Sequence, residues 1–144
     1  IKIVKTKRGG KATLHSRGQK VVYFVLNLNK RNKDIRKLIN DVENCIISTL
    51  KTYKIKSFSD KNNIGIWIKK REKVEKIAAI GIRVKKWIAY HGFCINVSNN
   101  LKYYKNIIPC GVKNKGVTSL KQMGIKKYEN IDQVIIKNFL NIFP

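Results

Sequence analysis

The sequence predicts an α+β domain, a mixed or antiparallel sheet with packed helices, and three observations support this. Runs of β-branched and aromatic residues recur at residues 21–26, 64–68 and 77–84 and from about Trp87 to Val97, each of strand length. Helical periodicity is confined to a segment opening at Asp34 and a closing segment from Ile131 to Phe143, with Thr118-Ser119-Leu120 as a possible start of a short third helix. Strands clustered around two or three helices, with no internal repeat and no linker, describe one layered domain over residues 1–144.

Residues 2–6 read as a short strand that feeds a glycine turn at Gly9-Gly10. Val21-Val22-Tyr23-Phe24-Val25-Leu26 is continuously apolar, which predicts a central, buried strand. Asp34 can cap a helix running to about Tyr53. Its Ile35, Leu38, Ile39, Val42, Ile46 and Leu50 fall at three- and four-residue steps and give one core-facing stripe. Cys45 lies near that stripe and reads as a small buried hydrophobe. Ile64–Ile68 and Ile77–Val84 look like the arms of a hairpin, with the charged stretch Lys69 to Glu75 as the connection. A third strand follows to Val97, and Tyr103 to Lys115 reads as irregular because it holds a proline and glycines.

The 144 residues carry a net charge of +24, which raises nucleic acid as a partner. Composition argues against it: 26 of the 32 basic residues are Lys, and only six carry the guanidinium fork that reads bases and phosphates best. The charges are also dispersed along the chain. No apolar stretch is long enough to span a bilayer, and the first residues lack the apolar core of a secretory signal. Cys45, Cys94 and Cys110 are odd in number and show no CxxC spacing, which predicts a reducing, cytoplasmic setting. With only His15 and His91 available, no zinc-type spacing exists and no metal is expected.

Three segments carry the chemistry. Arg8-Gly9-Gly10-Lys11-Ala12-Thr13-Leu14-His15 is a glycine turn whose backbone N–H groups can approach a ligand closely. Pro109-Cys110-Gly111 holds a thiol in a tight loop. Lys76 opens the apolar strand Ile77 to Ile82, so its ammonium would sit beside the core, where a cation favours a nearby thiolate, the nucleophilic form.

These segments, with Gly18-Gln19, Lys76-Ile77-Ala78-Ala79-Ile80-Gly81-Ile82-Arg83, His91-Gly92-Phe93-Cys94-Ile95-Asn96-Val97 and Ile108-Pro109-Cys110-Gly111, resemble the signatures of the lipoate-biosynthesis octanoyltransferases, in the family's order and over residues 3–120. The resemblance implies the fold of the biotin and lipoate protein ligase catalytic domain. It implies Cys110 as the residue that accepts the acyl chain as a thioester, with Lys76 promoting the thiolate and taking the proton from the incoming amine. It also implies a substrate pocket formed by Arg8, Gly9, Gly10, Lys11, Ala12, Thr13, Leu14 and His15 on one wall and by Ala79, Ile80, Gly81, Gly92, Phe93 and Cys94 on the other. His15 and His91 have a plainer alternative as hydrogen-bonded core histidines.

The implied partners are octanoyl-acyl carrier protein as donor and, as acceptors, the lipoyl domains of 2-oxoacid dehydrogenases and the glycine cleavage H protein. No cofactor, nucleic acid or membrane is involved, and a monomer is expected. Leu14 stands where the family usually has tyrosine, and Ser16-Arg17 where it more often has Gly-Pro. The family's N-terminal portion is missing from the match. Two rivals remain: an ATP-dependent lipoate or biotin ligase, which would not need the Cys110–Lys76 pair, and a non-catalytic basic module that binds nucleic acid.

Overall fold

The computed structural model describes residues 4, 6–9, 13–106 and 115–144. Its element order is β1 (Gln19–Asn27), a 3-10 turn, α1 (Ile35–Thr52), β2 (Phe58–Ser59), β3 (Ile66–Lys70), β4 (Lys73–Lys85), β5 (Ile88–Asn96), a 3-10 helix (Leu101–Asn106), β6 (Gly116–Val117) and α2 (Ile131–Ile142). The strands form one sheet in the order β1-β5-β4-β3-β2, all antiparallel along that path. β6 joins β4 in parallel, which makes the sheet mixed, one of the two arrangements expected.

Helix α1 starts where its sequence says it should. The Asp34 side chain accepts from the Lys37 N–H at 2.9 Å and satisfies one of the otherwise orphaned donors of the first turn. Leu38, Val42, Ile46 and Leu50 are buried, whereas Ile35 is exposed and lies outside the stripe. α2 packs beside α1, and both cover one face of the sheet in a core that includes Phe24, Leu26, Ile66, Ile68, Ile77, Ala78, Phe93 and Ile95. Truncating a buried side chain here, such as Ile46→Ala, costs roughly 2–5 kcal/mol.

Five expectations need correction. Among the described residues β1 is an edge strand and not a central one; Phe24 and Leu26 point into the core, while Tyr23 and Val25 are each 74% exposed on the other face. An apolar run does not distinguish burial on two faces from burial on one, because neighbouring strands decide that. The charged stretch 69–75 is no loop: β3 and β4 run through it and reverse at Arg71-Glu72, where Arg71 takes φ 54°. Thr118 to Gly124 forms turns instead of a short helix, and Leu101–Asn106, read in part as irregular, is a 3-10 helix. Of the expected first strand, Val4 and Thr6 are not in a strand, and residues 2, 3 and 5 lie outside the described residues.

Candidate active site

A β-bulge decides where Lys76 points. Between β3 and β4 the register runs Trp67↔Lys76 and then Ile66↔Ala78, so Ile77 is an extra residue with no partner of its own. Strand residues normally alternate faces, and one inserted residue reverses the alternation. Ile77 and Ala78 both enter the core. Lys76 therefore turns to the face away from the helices, which it shares with Ala79 and Gly81, and its side chain is only 5% exposed there.

Its environment is specific. The Lys76 Nζ lies 5.0 Å from the centre of the Trp67 ring, within cation–π range. The Trp67 ring, itself 1% exposed, is fixed by its Nε1–H, which donates to the Asn63 carbonyl at 2.8 Å. Gly65, at φ 131°, leaves room for the lysine stem, because a Cβ there would collide with the Lys76 Cε and stand 2.8 Å from the Ala78 carbonyl oxygen. A second ammonium, on Lys115, lies 4.5 Å from the same ring centre and is paired with Asp60 at 3.0 Å. Hydrogen bonds from Asn63 and Lys115 hold the Asp60 carboxyl down at about 2.

Across the open face, Ala79 pairs with Cys94 and Gly81 with Gly92. These small residues keep the sheet surface low, and the Arg8 side chain lies over Gly81, 3.1 Å from where a Cβ would stand. Arg83 donates to the Lys7 carbonyl at 2.9 Å and draws the N-terminal segment onto β4. Cys94 is 3% exposed. Burial pushes its thiol up, opposed by a backbone hydrogen bond from Ala79 and by the positive fields of Lys76 and Arg8. Cys94 is thus a buried thiol within the field of both cations.

Not every expected pocket residue joins them. The Ile80 and Phe93 side chains pack on the helix side of the sheet and serve the core. Leu14 is buried, but His15 is exposed, so it is no core histidine. His91 is half-buried in β5 at φ 69°, and its Nε2 has no hydrogen-bond partner among the described residues, against the satisfied imidazole expected of a core histidine. Thr13 is half-buried, and Gly9 lies so close to β4 that a Cβ would meet the Ile82 carbonyl oxygen at 2.8 Å. Gly10, Lys11, Ala12 and Cys110 lie outside the described residues. Among the described residues no group of three metal-ligating side chains comes together, and no helix is long and apolar enough to cross a membrane.

A polar cluster that the sequence did not flag joins the flanks of segment 107–114. Gln19 Nε2 donates to Asn96 Oδ1 and to the Tyr104 hydroxyl, both at 2.8 Å. The Tyr104 hydroxyl donates to the Leu14 carbonyl at 3.2 Å, and Asn96 Nδ2 to the Thr118 carbonyl at 3.0 Å. Burial pushes Tyr104 up to about 12, so it stays protonated at neutral pH. After the segment, β6 sets Val117 opposite Lys76, and the Thr118 N–H donates to the Lys76 carbonyl at 2.9 Å. Gln19 and Asn96 stood inside quoted motifs, but neither their bonds nor Trp67, Tyr104 and Thr118 follow from local pattern. Gly65 was the one legible hint, since a glycine beside a strand run marks close approach.

This mixed sheet with two packed helices is the fold of a known catalytic domain. The chain belongs to the family of the lipoyl protein ligase A/B catalytic domain, whose family model matches residues 1–140. Among curated relatives it is 48% identical over 143 residues to an octanoyltransferase of Wolbachia pipientis subsp. Culex pipiens, covering 98% of this chain and 70% of that one. It is 44% identical over 140 residues to an octanoyltransferase of Ehrlichia chaffeensis, covering 96% and 65%. In structure it is similar to a lipoate-protein ligase A bound with ATP (TM-score 0.73, 14% identity, 95% of this chain and 57% of that one). It is also similar to the biotin protein ligase of Aquifex aeolicus (TM-score 0.65, 16% identity, 88% and 52%). At such identities the two ligases speak for the fold alone.

Proposed function

We propose that the chain transfers an octanoyl group from octanoyl-acyl carrier protein to a lysine ε-amine of a lipoyl domain, through a thioester on Cys110. Lipoyl domains of 2-oxoacid dehydrogenases and of the glycine cleavage H protein are the acceptors in this reading. The observation that carries it is the pairing of Val117 with Lys76, seven residues beyond Cys110, with the Thr118 N–H closing on the Lys76 carbonyl. The octanoyltransferase relatives support the same reaction class.

In the first step the Cys110 thiolate attacks the thioester carbonyl, the carbon–sulfur bond to the carrier breaks, and the carrier's sulfur leaves with a proton from the Lys76 ammonium. In the second step the acceptor amine attacks the acyl-enzyme. An amide forms, the Cys110 thiolate departs, and Lys76 recovers a proton from the amine. The thioester already supplies the activation, so neither ATP nor a metal enters the balance. The other two cysteines are poor candidates for nucleophile: burial pushes Cys45 up to about 11 and also raises Cys94. The short side chains of Ala79 and Cys94, paired across β4 and β5, suit an acyl tail laid on the open face, whose burial contributes roughly 0.8 kcal/mol per methylene. The net charge of +24 suits acidic carrier and acceptor proteins, so the rate should fall as salt screens the encounter.

Intact-mass spectrometry after incubation with octanoyl-acyl carrier protein, without ATP, tests the reading. A thiol-labile octanoyl adduct is expected, absent in Cys110→Ala and slowed in Lys76→Ala. An adduct that persists in Cys110→Ala, or acylation that requires ATP, would overturn it.

A further inference from the structure

Lys76 does not hold its place through the backbone alone. Three features meet around it: the face of Trp67 5.0 Å from its ammonium, the missing Cβ of Gly65 beside its stem, and the backbone carbonyl of Asn63, which pins the indole N–H at 2.8 Å. The long, flexible lysine stem has several rotatable bonds, so a bare pocket would leave its amine spread over many positions. A buried aromatic face restricts that spread, because the ring quadrupole attracts an ammonium and desolvation strengthens the attraction. Trp67 also faces the Lys115 ammonium at 4.5 Å, and the carboxylate of Asp60 holds that second cation at 3.0 Å. Asp60 thereby fixes the second charge on the ring through a partner of its own.

We propose that Trp67 is a positioning residue for the acyl-transfer reaction, holding the Lys76 ammonium at the open face of the sheet by a cation–π contact that Gly65 makes room for. This rests on the reading of Lys76 as the group that moves protons in the reaction. The contact sets where the amine stands, so its loss acts on kcat and leaves KM for the carrier substrate nearly unchanged.

The test uses Trp67→Phe, Trp67→Leu and Gly65→Ala, with folding checked by circular dichroism. The first readout is independent of activity: acetic anhydride labelling of Lys76, relative to the exposed Lys51, followed by peptide mass spectrometry. Trp67→Leu removes the π face and is expected to raise Lys76 labelling and lower kcat, each by about three- to thirtyfold. Trp67→Phe keeps a π face and should stay within about threefold of the native protein. Gly65→Ala keeps Trp67 but crowds the lysine stem and, less closely, the Ala78 carbonyl, so it should reproduce the Leu phenotype; it decides the matter if Trp67→Leu does not fold. Native-like labelling of Lys76 in Gly65→Ala, or equal effects of Phe and Leu, would overturn the proposal. If no variant, native included, transfers octanoyl groups, the functional reading fails, and the labelling still decides the role of Trp67.

Discussion

Lys76 and Val117 stand opposite each other on a parallel ladder only two residues long, which the Thr118 N–H extends onto the Lys76 carbonyl at 2.9 Å. Glu75↔Gly116 is the other rung. β6 takes up the β4 edge where β5 leaves it: Ile95 pairs with Ala78, and Val117 with Lys76. One strand edge is thus shared between the sheet and the chain that follows segment 107–114.

Thr118 is fully buried, and its N–H is the donor in that extension, so Thr118→Pro removes the bond without adding bulk at the lysine. We expect stability to fall by about 1–3 kcal/mol and transfer activity to fall more than stability accounts for. Urea titration beside a rate measured on fully folded protein separates the two effects.

The Tyr104 hydroxyl, protonated at neutral pH, joins Gln19 to the Leu14 carbonyl. Tyr104→Phe leaves the buried Leu14 acceptor without that donor and should cost about 1–3 kcal/mol. Denaturant midpoints at pH 7 check this, and a change within error would show that the hydroxyl bonds carry no net stability.

Glu43 is a buried carboxyl on α1 whose value burial raises, opposed by a hydrogen bond with the Ser59 side chain. A carboxyl with a folded value above its unfolded one favours folding when protonated. Its effect on stability therefore worsens as pH climbs from the ordinary carboxylate range through the raised value, then stays constant. Glu43→Gln should raise the melting temperature at pH 7 by ~2–5 °C and change it little at pH 4. Differential scanning calorimetry at the two pH values decides it.

Asp60 shows the opposite sign. Its value is lowered to about 2, so its contribution is complete above the ordinary carboxylate range and is lost as pH falls toward 2. Asp60→Asn should unfold at lower urea than the native protein at pH 7, and the two midpoints should converge near pH 2. Asn63 and Lys115 are the side-chain partners released, and a gap that persists at pH 2 would assign the effect to something other than the carboxylate's charge.

Thiol alkylation separates the three cysteines. Cys45 is fully buried and pushed up to about 11, and Cys94 is 3% exposed and also raised. In folded protein at pH 7 iodoacetamide should modify Cys110 first, at least tenfold faster than either of the others, because only a thiolate reacts. Peptide mapping against time reads the order directly.

The sequence by itself determined what local spacing can encode. The cap at Asp34 and the Leu38-Val42-Ile46-Leu50 stripe defined α1 nearly to the residue. The apolar runs located β3, β4 and β5, and the α+β class followed from their clustering. The burial of Lys76 beside the core was legible from its place at the head of an apolar strand. Period and capping reside in neighbouring residues, so one chain suffices to read them.

The tertiary structure decided the rest, because sheet order, register and bulges depend on residues far apart in the chain. It moved β1 to the edge and exposed Tyr23 and Val25, where the local pattern had suggested burial. It let Ile77 fall out of register and so turned Lys76 to the open face. It sent Phe93 and Ile80, both expected to line a substrate pocket, to the core. It also joined Gln19, Asn96, Tyr104 and Thr118 across as many as 99 positions of chain, between Gln19 and Thr118 (118 − 19). A one-residue change in register reverses which face every later side chain takes, and only the paired strand fixes that register.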